Sequence, residues 1–514
     1  MAVSTYTMDA LDNFTREELP SVIRESLPKL DPVQRMLQTF SMGVNRSSIG
    51  RDWEVEHLFG TGVAGLINNA DPRGPAMYNS DEHMQSLVLD STSAAMAPFP
   101  NPASVPFTSS LLRVLKLHRC VGNFSVPITW LQGEALGANQ IRQIQRNVKK
   151  VGENLALQEA ISFFMPSNNC LCQIDNLTED AGTTTAAASS TFTVKAGTGR
   201  TQYFRVGQMV DIIDDVSGTP QFGTAVDGTD RLNYVTTYGY TPLIVSDVDY
   251  LSGVITISSV NDTDISSNGN YVATIADDDW VILRDNHTAS REMRTYGIED
   301  WTASSGQILG GSGTLGNRLN PALDLDTYSQ FKSLVSAINA PLTETVLNAK
   351  VGGFIQAYPG MNLDTIITTM GVQMKYLEQP SVYGNATMFW DRDGKALDYQ
   401  GGWDTVGYSF AGRRYNWIVS SMCIGQRLYV EKFGEGNIKR YIPPRIGGSD
   451  ATIGSEVEFV VPLATKGGSI FKLAHNSSGQ TMDLLEAPFT EYVLVAPEDV
   501  RGIKLTALTE SSLG

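Results

Sequence analysis

The chain has 514 residues and a formal net charge of −17, from 38 Lys and Arg against 55 Asp and Glu. Charged residues make up 18% and apolar residues 42% of the chain, which excludes a disordered protein, because such chains are rich in charge and poor in apolar residues. A cationic nucleic-acid-binding protein is also disfavoured, since nonspecific phosphate binding needs an excess of Lys and Arg. The length predicts roughly three domains.

The four cysteines are too few to cross-link a chain of this length, which predicts reduced thiols and folding in the cytosol. The N-terminal stretch MAVSTYTMDALDNFTREELP contains no basic run followed by an apolar one, so we expect no signal peptide. No apolar run approaches the roughly 20 residues that span a bilayer. The expectation is a soluble, unglycosylated protein without membrane contact.

The N-terminal part of the chain predicts an arm followed by a loop. Asp31 is placed to cap a short helix that starts at Pro32 and continues through PVQRMLQTF. Two strand-like runs, DWEVEHLF and SLLRVLKLHRCVGNFSVPITW, flank a long segment rich in Gly, Pro, Asn and Ser. Because so long a loop is unusual inside a compact domain, we expect it to become ordered on a neighbouring molecule.

A long amphipathic helix is predicted over residues 134–165. Apolar residues recur there at steps of three and four, at Ile141, Ile144, Val148, Val151 and Leu155. Basic residues such as Arg146 and Lys149 take the opposite face, and Pro166 ends the pattern. About 30 helical residues measure about 45 Å, which predicts a structural spine.

Residues 168–287 differ in composition from the rest. They hold 16 acidic and 5 basic residues, so they carry −11 of the total charge of −17. Strand-like runs separated by turns follow one another: STFTVKA, YFRVGQMVDII, TPLIVSDV, SGVITISSV and DWVILRD. The pattern predicts an inserted all-β domain, a small sandwich or barrel.

After residue 288 the pattern is mixed. LDTYSQFKSLVSAI and TETVLNAKVGGFI predict helices, the second capped by Thr343, and LDTIITTM predicts a strand that leads into a helix at GVQMKYLEQ. RRYNWIVSSM, RLYVEKFG, EVEFVVPLAT and EYVLVAPEDVRGIKLTAL predict strands.

Three motifs are candidates for binding sites. Gly60-Thr-Gly62-Val-Ala-Gly65 matches a dinucleotide fingerprint, but the sequence after it ends any helix within about two turns and no βαβ series follows. His118, Cys120, Cys170 and Cys172 could be imagined as metal ligands, but a C-x-C pair fits a tetrahedral site poorly.

The third motif is the loop Asp262–Gly269, which faintly resembles a calcium loop but has Ile275 where a Glu ligand is expected. The neighbouring run Asp277–Asp279 leaves an opportunistic divalent-ion site open beside the plainer interpretation of a solvated acidic bend. We assign no metal ligand on this pattern.

Catalytic patterns are absent from the sequence. The five histidines lie in unrelated contexts, and there is no G-x-S-x-G, H-E-x-x-H or P-loop motif. Trp390, Trp403 and Trp417 lie among tyrosines in a Gly-rich stretch and could stack on nucleic acid, although nearby acids favour core or subunit packing. We therefore predict that the protein is not an enzyme, with no catalytic residue, cofactor or metal site.

The order of these parts resembles that of the major capsid proteins of tailed bacteriophages. In that family an arm and an extended loop cross onto neighbouring subunits, a spine helix belongs to a peripheral domain, and an axial domain lies at the capsomer centre. The matching segments are residues 80–130 for the loop, residues 139–164 for the spine, and LDTIITTMGVQMKYLEQ followed by SFAGRRYNWIVSS for the axial strand–helix–strand passage. The resemblance covers most of the chain apart from residues 168–287.

The resemblance implies an α+β fold of the tailed-phage major capsid type with an inserted all-β domain. It divides the chain into seven regions: an N-terminal arm (1–51), an extended loop (52–131), a spine helix of the peripheral domain (132–167), the inserted all-β domain (168–287), a return to the peripheral domain (288–330), an axial domain (331–480) and C-terminal strands (481–514).

The function implied is self-assembly, as hexamers and pentamers, into an icosahedral head shell around double-stranded DNA. The implied partners are further copies of the chain, a separate scaffolding protein, a portal and a decoration protein, with no sequence-specific DNA contact. The implied location is the virion, after assembly in the host cytoplasm. The acidic insertion is expected on the outer face, because its charge is unfavourable beside packaged DNA.

Two alternatives stay open. A cellular encapsulating compartment of the same fold would enclose an enzyme in place of a genome. A β-rich phage tail or surface-binding protein would use residues 168–287 as its receptor-binding or glycan-binding module.

Overall fold

The structure is a computed structural model. It describes residues 26, 29–41, 54–58, 112–116, 118–127, 138–165, 170–179, 189–213, 215–216, 219–220, 243–259, 277–283, 296–308, 323–326, 329–379, 408–442, 460–462, 472–475 and 481–511.

The described residues form four α-helices, 24 strands and short 3-10 turns, which is an α+β composition. The α-helices are α1 (Ala138–Ser162), α2 (Ile298–Trp301), α3 (Glu344–Ala357) and α4 (Met370–Leu377). The 3-10 turns are Pro32–Arg35, Thr201–Tyr203, Ser329–Phe331 and Gly434–Gly436.

The strands in chain order are β1 (Gln38–Ser41), β2 (Glu54–Leu58), β3 (Leu112–Lys116), β4 (His118–Pro127), β5 (Cys170–Glu179), β6 (Ser189–Val194), β7 (Met209–Ile213), β8 (Asp215–Val216), β9 (Thr219–Pro220), β10 (Leu243–Asp249), β11 (Val254–Ser259), β12 (Trp280–Leu283), β13 (Gln307–Ile308), β14 (Leu323–Asp324), β15 (Leu334–Ala340), β16 (Thr365–Thr368), β17 (Tyr408–Phe410), β18 (Arg413–Val419), β19 (Leu428–Glu431), β20 (Ile438–Ile442), β21 (Val460–Pro462), β22 (Lys472–His475), β23 (Thr481–Pro497) and β24 (Ile503–Leu508).

The first large unit is a closed barrel in the order β10-β11-β6-β5-β12-β7. Many of its apolar side chains are fully buried, among them Ile174, Val210, Val245 and Ile257. The described part of residues 168–287 is therefore all-β, as the strand-like runs predict. The sequence does not predict the strand β5, because CLCQIDNLTE mixes polar and apolar residues without a clean alternation.

The second unit is a six-stranded mixed sheet in the order β15-β24-β19-β16-β18-β17, with α3 and α4 packed against it. The predicted helix TETVLNAKVGGFI is confirmed, and the Thr343 side chain accepts a hydrogen bond from the Val346 N–H as its cap. The predicted strand-to-helix passage is also confirmed, as β16 followed by α4.

The helix predicted at LDTYSQFKSLVSAI is wrong. This segment contains the 3-10 turn Ser329–Phe331 and then β15, which pairs in parallel with β24. The pairing accounts for the difference, because β24 supplies backbone partners along this segment and tertiary pairing outweighs a weak helical pattern.

The third unit is a sheet built around the 17-residue strand β23, which we call the long-strand sheet. Strands β4, β20, β21 and β22 all pair with it, and β1 adds to β20 in parallel. The ladder between β4 and β23 runs from Leu484 opposite Pro127 to Val493 opposite His118. This ladder joins a strand that precedes α1 to one near the C-terminus, so it depends on contacts between distant parts of the sequence.

The helix predicted from Pro32 is wrong beyond its first turn. Asp31 caps a single 3-10 turn by accepting from the Val33 N–H at 3.2 Å. Val33 and Leu37 then enter the core, and the chain continues as β1. The predicted cap is confirmed. The residues after the first turn form a strand and not a helix, because they are paired with β20.

The long helix predicted over residues 134–165 is present as α1, which has 25 residues and a length of about 37 Å. Its C-terminal half is buried through Leu155, Ala156, Ala160 and Ile161, whereas Arg146 and Lys149 are exposed. One buried core runs from this end of α1 into the barrel and under the long-strand sheet, and a second core lies within the six-stranded sheet. No helix in the described ranges combines the length and apolar character needed to cross a membrane.

Candidate functional site

The end of α1, the barrel and the six-stranded sheet meet at residues 296–302, which we call the junction segment. It contains Gly297 and the four-residue helix α2. The Ile298 N–H donates to the carbonyl of Phe163 at 2.6 Å, so the chain that follows the barrel touches the end of the helix that precedes it. A side chain at Gly297 would lie within 2.9 Å of the Ser162 carbonyl, which is why only Gly fits there.

Aromatic packing fixes the junction segment against α1. The rings of Trp301 and Phe163 lie edge to face with centroids 5.8 Å apart, and Phe164 packs on Phe163 in the same manner at 5.1 Å. All three side chains are fully buried. Such edge-to-face pairs stabilise a contact beyond the apolar area that they bury.

A buried ionic cluster joins the junction segment to the six-stranded sheet. The carboxylate of Glu299 lies 2.9 Å from Lys504 Nζ and 3.1 Å from Arg427 Nε, and the Tyr429 hydroxyl donates to it. Burial acts to raise the pKa of Glu299, but the charges of Lys504 and Arg427 outweigh it and hold that pKa below its usual value. Glu299 is therefore a buried anion held by two cations.

A second carboxyl group in the cluster has no cation of its own among the described residues. Glu431 is fully buried, and its Oε1 accepts a hydrogen bond from the Thr302 hydroxyl at 2.7 Å. Burial raises the pKa of Glu431 to about 8, and the nearby charges of Asp499 and Asp364 add to the rise. At neutral pH this carboxyl group is mainly protonated.

Three side chains attach the barrel to the edge of the same sheet. The Tyr203 hydroxyl donates to the Met422 carbonyl at 2.6 Å, and Arg200 Nε donates to the Cys423 carbonyl at 2.8 Å. In the other direction, Arg427 donates to the Gly197 carbonyl at 2.8 Å. Arg427 thus contacts both the barrel and Glu299, and it links the barrel to the junction segment.

A separate buried ion pair ties α1 to the long-strand sheet. Arg440 on β20 places its Nε 2.6 Å from the Glu159 carboxylate on α1, and both side chains are almost completely inaccessible. Arg440 also donates to the Gln34 side chain, which lies in the 3-10 turn after Asp31. The N-terminal segment, the helix and the sheet are joined at this one guanidinium group.

The motifs that the sequence offers as candidate sites lie partly outside the described residues. The stretch Gly60–Gly65 and the loop Asp262–Gly269 lie outside the described residues. Cys170 and Cys172 lie on β5 as buried thiols, and burial raises the pKa of Cys172. Among the residues that the structure describes, no group of three or more His, Cys, Asp or Glu side chains is placed to hold a metal ion.

The acidic bend and the aromatic cluster have structural partners. Asp277 accepts from the Leu177 N–H at 2.8 Å, and Asp278 pairs with Lys195, so both carboxylates brace the barrel wall. Trp417 packs on Tyr376 with ring centroids 5.0 Å apart. Trp417 therefore packs in the core, which is one of the two arrangements that the sequence favours. Trp390 and Trp403 lie outside the described ranges.

The sequence patterns do not identify the residues of the junction segment and its ionic cluster. Glu299 and Lys504 lie far from each other and from the pair Arg427 and Glu431 in the sequence, and no motif connects them. A weaker signal was present, since Glu431 and Lys504 lie within otherwise apolar strand sequences, LYVE and IKLTAL. Charged residues are rarely buried without a partner, so charges in such strands indicate buried ion pairs or hydrogen bonds.

No protein-family model matches the sequence, and no curated protein sequence matches it. The solved structures that are similar to this chain include two phage capsid proteins. The capsid asymmetric unit of cyanophage A-1(L) is 12% identical, with 93% of each chain covered and a TM-score of 0.34. The satellite phage P4 procapsid, which includes a size determination protein, is 8% identical, with 95% of this chain and 99% of that chain covered and a TM-score of 0.30.

An encapsulin complex from Synechococcus elongatus is also similar, at 10% identity and a TM-score of 0.20. The matched region covers 34% of this chain and about half, 53%, of the encapsulin chain.

Proposed function

We propose that the protein is a major capsid protein of the tailed-phage type, which self-assembles into an icosahedral head shell around double-stranded DNA. In this proposal the chain is a structural protein and not an enzyme. It forms hexamers and pentamers in the virion after assembly in the host cytoplasm, and it works with a scaffolding protein, a portal and a decoration protein. The seven regions expected from the sequence are proposed as its domains, with the barrel as the insertion.

The observation that carries the proposal is the ladder between β4 and β23 alongside α1. A strand of 17 residues spans about 56 Å, whereas ordinary strands have about five or six residues. Together with the 25-residue helix it forms an elongated part, distinct from the six-stranded sheet with its two helices. A subunit that tiles a shell needs such an extension to reach several neighbours from one compact domain.

The direct test is electron microscopy of the full-length protein, expressed alone and together with the genes that neighbour it. Closed shells or capsomer rings are the expected products. A protein that stays monomeric by light scattering in every co-expression would contradict the proposal. Nuclease-protected DNA inside the shells supports a viral capsid, and an enclosed enzyme in its place would make the protein the shell of a cellular compartment.

A second test removes the loop. Deletion of residues 85–105 is expected to abolish particle formation while circular dichroism and thermal unfolding of the subunit stay close to those of the parent chain. The control is a deletion of equal length within the insertion, at 221–241, which lies outside the region assigned to subunit contacts. Unchanged particle yield after the loop deletion would contradict the assembly role of the loop.

A further inference from the structure

The buried contact between Glu431 and Thr302 satisfies only one of the two oxygens of the carboxyl group. Glu431 lies on β19 of the six-stranded sheet, and Thr302 ends the junction segment. The Thr302 hydroxyl donates to one oxygen of the carboxyl group at 2.7 Å, while Oε2 is buried with no hydrogen-bond partner in the described part of the chain. A buried carboxylate with an unpartnered oxygen is costly as an anion and acceptable when protonated.

Other strands of the sheet and its loops bring further charges toward Glu431. Asp364, just before β16, and Asp499, in the loop before β24, are both negative neighbours. Each has donors of its own: the Phe433 N–H reaches Asp364 at 2.8 Å, and Arg501 reaches Asp499 at 2.8 Å. These donors hold the two carboxylates near Glu431, where their charges oppose a third negative charge.

The positive group that acts on Glu431 is Lys504, which forms its ion pair with Glu299. Lys504 on β24 acts on Glu431 from a distance but makes its short contact, 2.9 Å, with Glu299. Space beside Glu431 is also closed, because a side chain at Gly502 would lie within 2.7 Å of its Oε2. Within the described ranges, the carboxyl group is held in place and lacks an adjacent counter-ion.

We propose that Glu431 and Thr302 form a proton-dependent latch, which holds the junction segment, and with it the return connection of the barrel, on the six-stranded sheet while the carboxyl group is neutral. Opening the latch exposes Glu431 to water, where it ionises and releases its proton. Opening therefore becomes easier as pH rises. The latch stands on the geometry of this contact and does not depend on shell formation.

The direction and range follow from linkage. Burial, with Asp499 and Asp364, raises the pKa of Glu431 to about 8 in the closed state, whereas the exposed group has an ordinary pKa near 4.3. Between these two values opening releases one proton, so the opening equilibrium grows about tenfold per pH unit. Below the ordinary pKa both states are protonated, and above about 8 both are ionised, so the dependence ends there. The charges of Lys504 and Arg427 lower the pKa of Glu299, so Glu299 is mainly ionised from pH 5 upward.

Amide hydrogen exchange of the full-length protein between pH 5 and pH 9 tests the latch. The probes are the Ile298 and Thr302 amides, which donate to the carbonyls of Phe163 and Ile298. After correction for intrinsic exchange, their protection is expected to fall about tenfold per pH unit up to about pH 8 and then to level off. A protection factor that does not change with pH would overturn the proposal.

Three variants separate the latch from simple packing. Glu431→Gln keeps the shape and the contact with Thr302 but cannot ionise, so its protection is expected to be independent of pH. Thr302→Val removes the hydroxyl group that favours the ionised carboxylate, so the levelling-off should move to higher pH. Glu153→Gln, at an exposed acid on α1, is the matched control and should keep the slope of the parent chain. An identical slope in the parent chain and in Glu431→Gln would overturn the proposal.

Discussion

The ion pair between Glu159 and Arg440 predicts a large and specific loss of stability when its cation is removed. The substitution Arg440→Met keeps much of the aliphatic volume but leaves the Glu159 carboxylate buried at 2% exposure without the guanidinium group 2.6 Å away. Breaking one side of a buried pair costs about 3–5 kcal/mol, because the remaining charge is neither solvated nor paired. The lost hydrogen bond to Gln34 adds to this cost.

The assay is equilibrium urea unfolding of dilute, unassembled protein, followed by far-ultraviolet circular dichroism. The matched control is Lys149→Met, which removes the cation of an exposed pair on the same helix, 3.9 Å from Glu153. Exposed pairs of this kind contribute about 0.3–0.5 kcal/mol. The double variant Glu159→Leu/Arg440→Met removes both charges and should recover most of the loss, since apolar pairs replace buried ion pairs with little cost.

The pH dependence gives the prediction a second readout. Burial raises the pKa of Glu159 even in the parent protein, and the charge of Arg440 offsets this only in part. In Arg440→Met the folded-state pKa rises further above that of the unfolded chain. A raised pKa contributes stability that is present at low pH and is lost as pH rises. The deficit of Arg440→Met should therefore be smallest near pH 4 and grow toward neutral pH. A deficit equal to that of Lys149→Met at every pH would show that the buried pair contributes no more than an exposed one.

Local packing determines the effect of several single substitutions. Gly199→Ala places a methyl group within 2.7 Å of Cys172 Cβ and should destabilise the protein by about 1–3 kcal/mol in the same urea assay. In Gly353→Ala the added methyl group meets no atom within 4 Å, and the position lies in α3, so the substitution should stabilise the protein by about 0.5–1 kcal/mol. A Gly199→Ala protein that is more stable than the Gly353→Ala protein would contradict the packing. Thr343→Ala removes the cap of α3 and should cost about 1 kcal/mol, whereas Thr343→Ser should cost little; equal losses would argue against the cap. The three buried thiols, at Cys170, Cys172 and Cys423, should resist an aromatic disulfide reagent until urea unfolds the protein, and labelling in the native state, mapped by mass spectrometry, would contradict their burial.

Periodicity in the sequence was sufficient for elements whose own residues decide their structure. The periodicity that predicts α1 and the Thr343 cap of α3 are local signals, and the structure has both the helix and the cap. The alternating runs of the barrel are local in the same sense, because each strand carries its own buried face. Predictions failed where a distant partner decides. The segment Leu334–Ala340 is a strand because β24, which lies near the C-terminal end of the chain, pairs beside it.

The junction could not be predicted for the same reason. The contact between Glu299 and Lys504 joins positions 205 residues apart, and that between Thr302 and Glu431 joins positions 129 apart. Charge and hydropathy patterns describe neighbours in sequence and contain no information on such pairs. What the sequence did show was a charge placed in an apolar strand, which indicates that a partner exists without identifying it.

The hydrogen bond between the Ile298 amide and the Phe163 carbonyl has an evolutionary consequence. The chain leaves the main body of the protein and returns to it at a single point, with the whole barrel between. A domain attached in this manner can be lengthened, shortened or exchanged without rethreading the remaining strands, because the two ends to be joined already touch. Genes that acquired or lost the barrel would need to adapt the surface that binds Tyr203 and Arg200, the contact of Arg427 with Gly197, and the buried core that the barrel shares with α1. The main body could therefore diverge at one rate and the barrel at another.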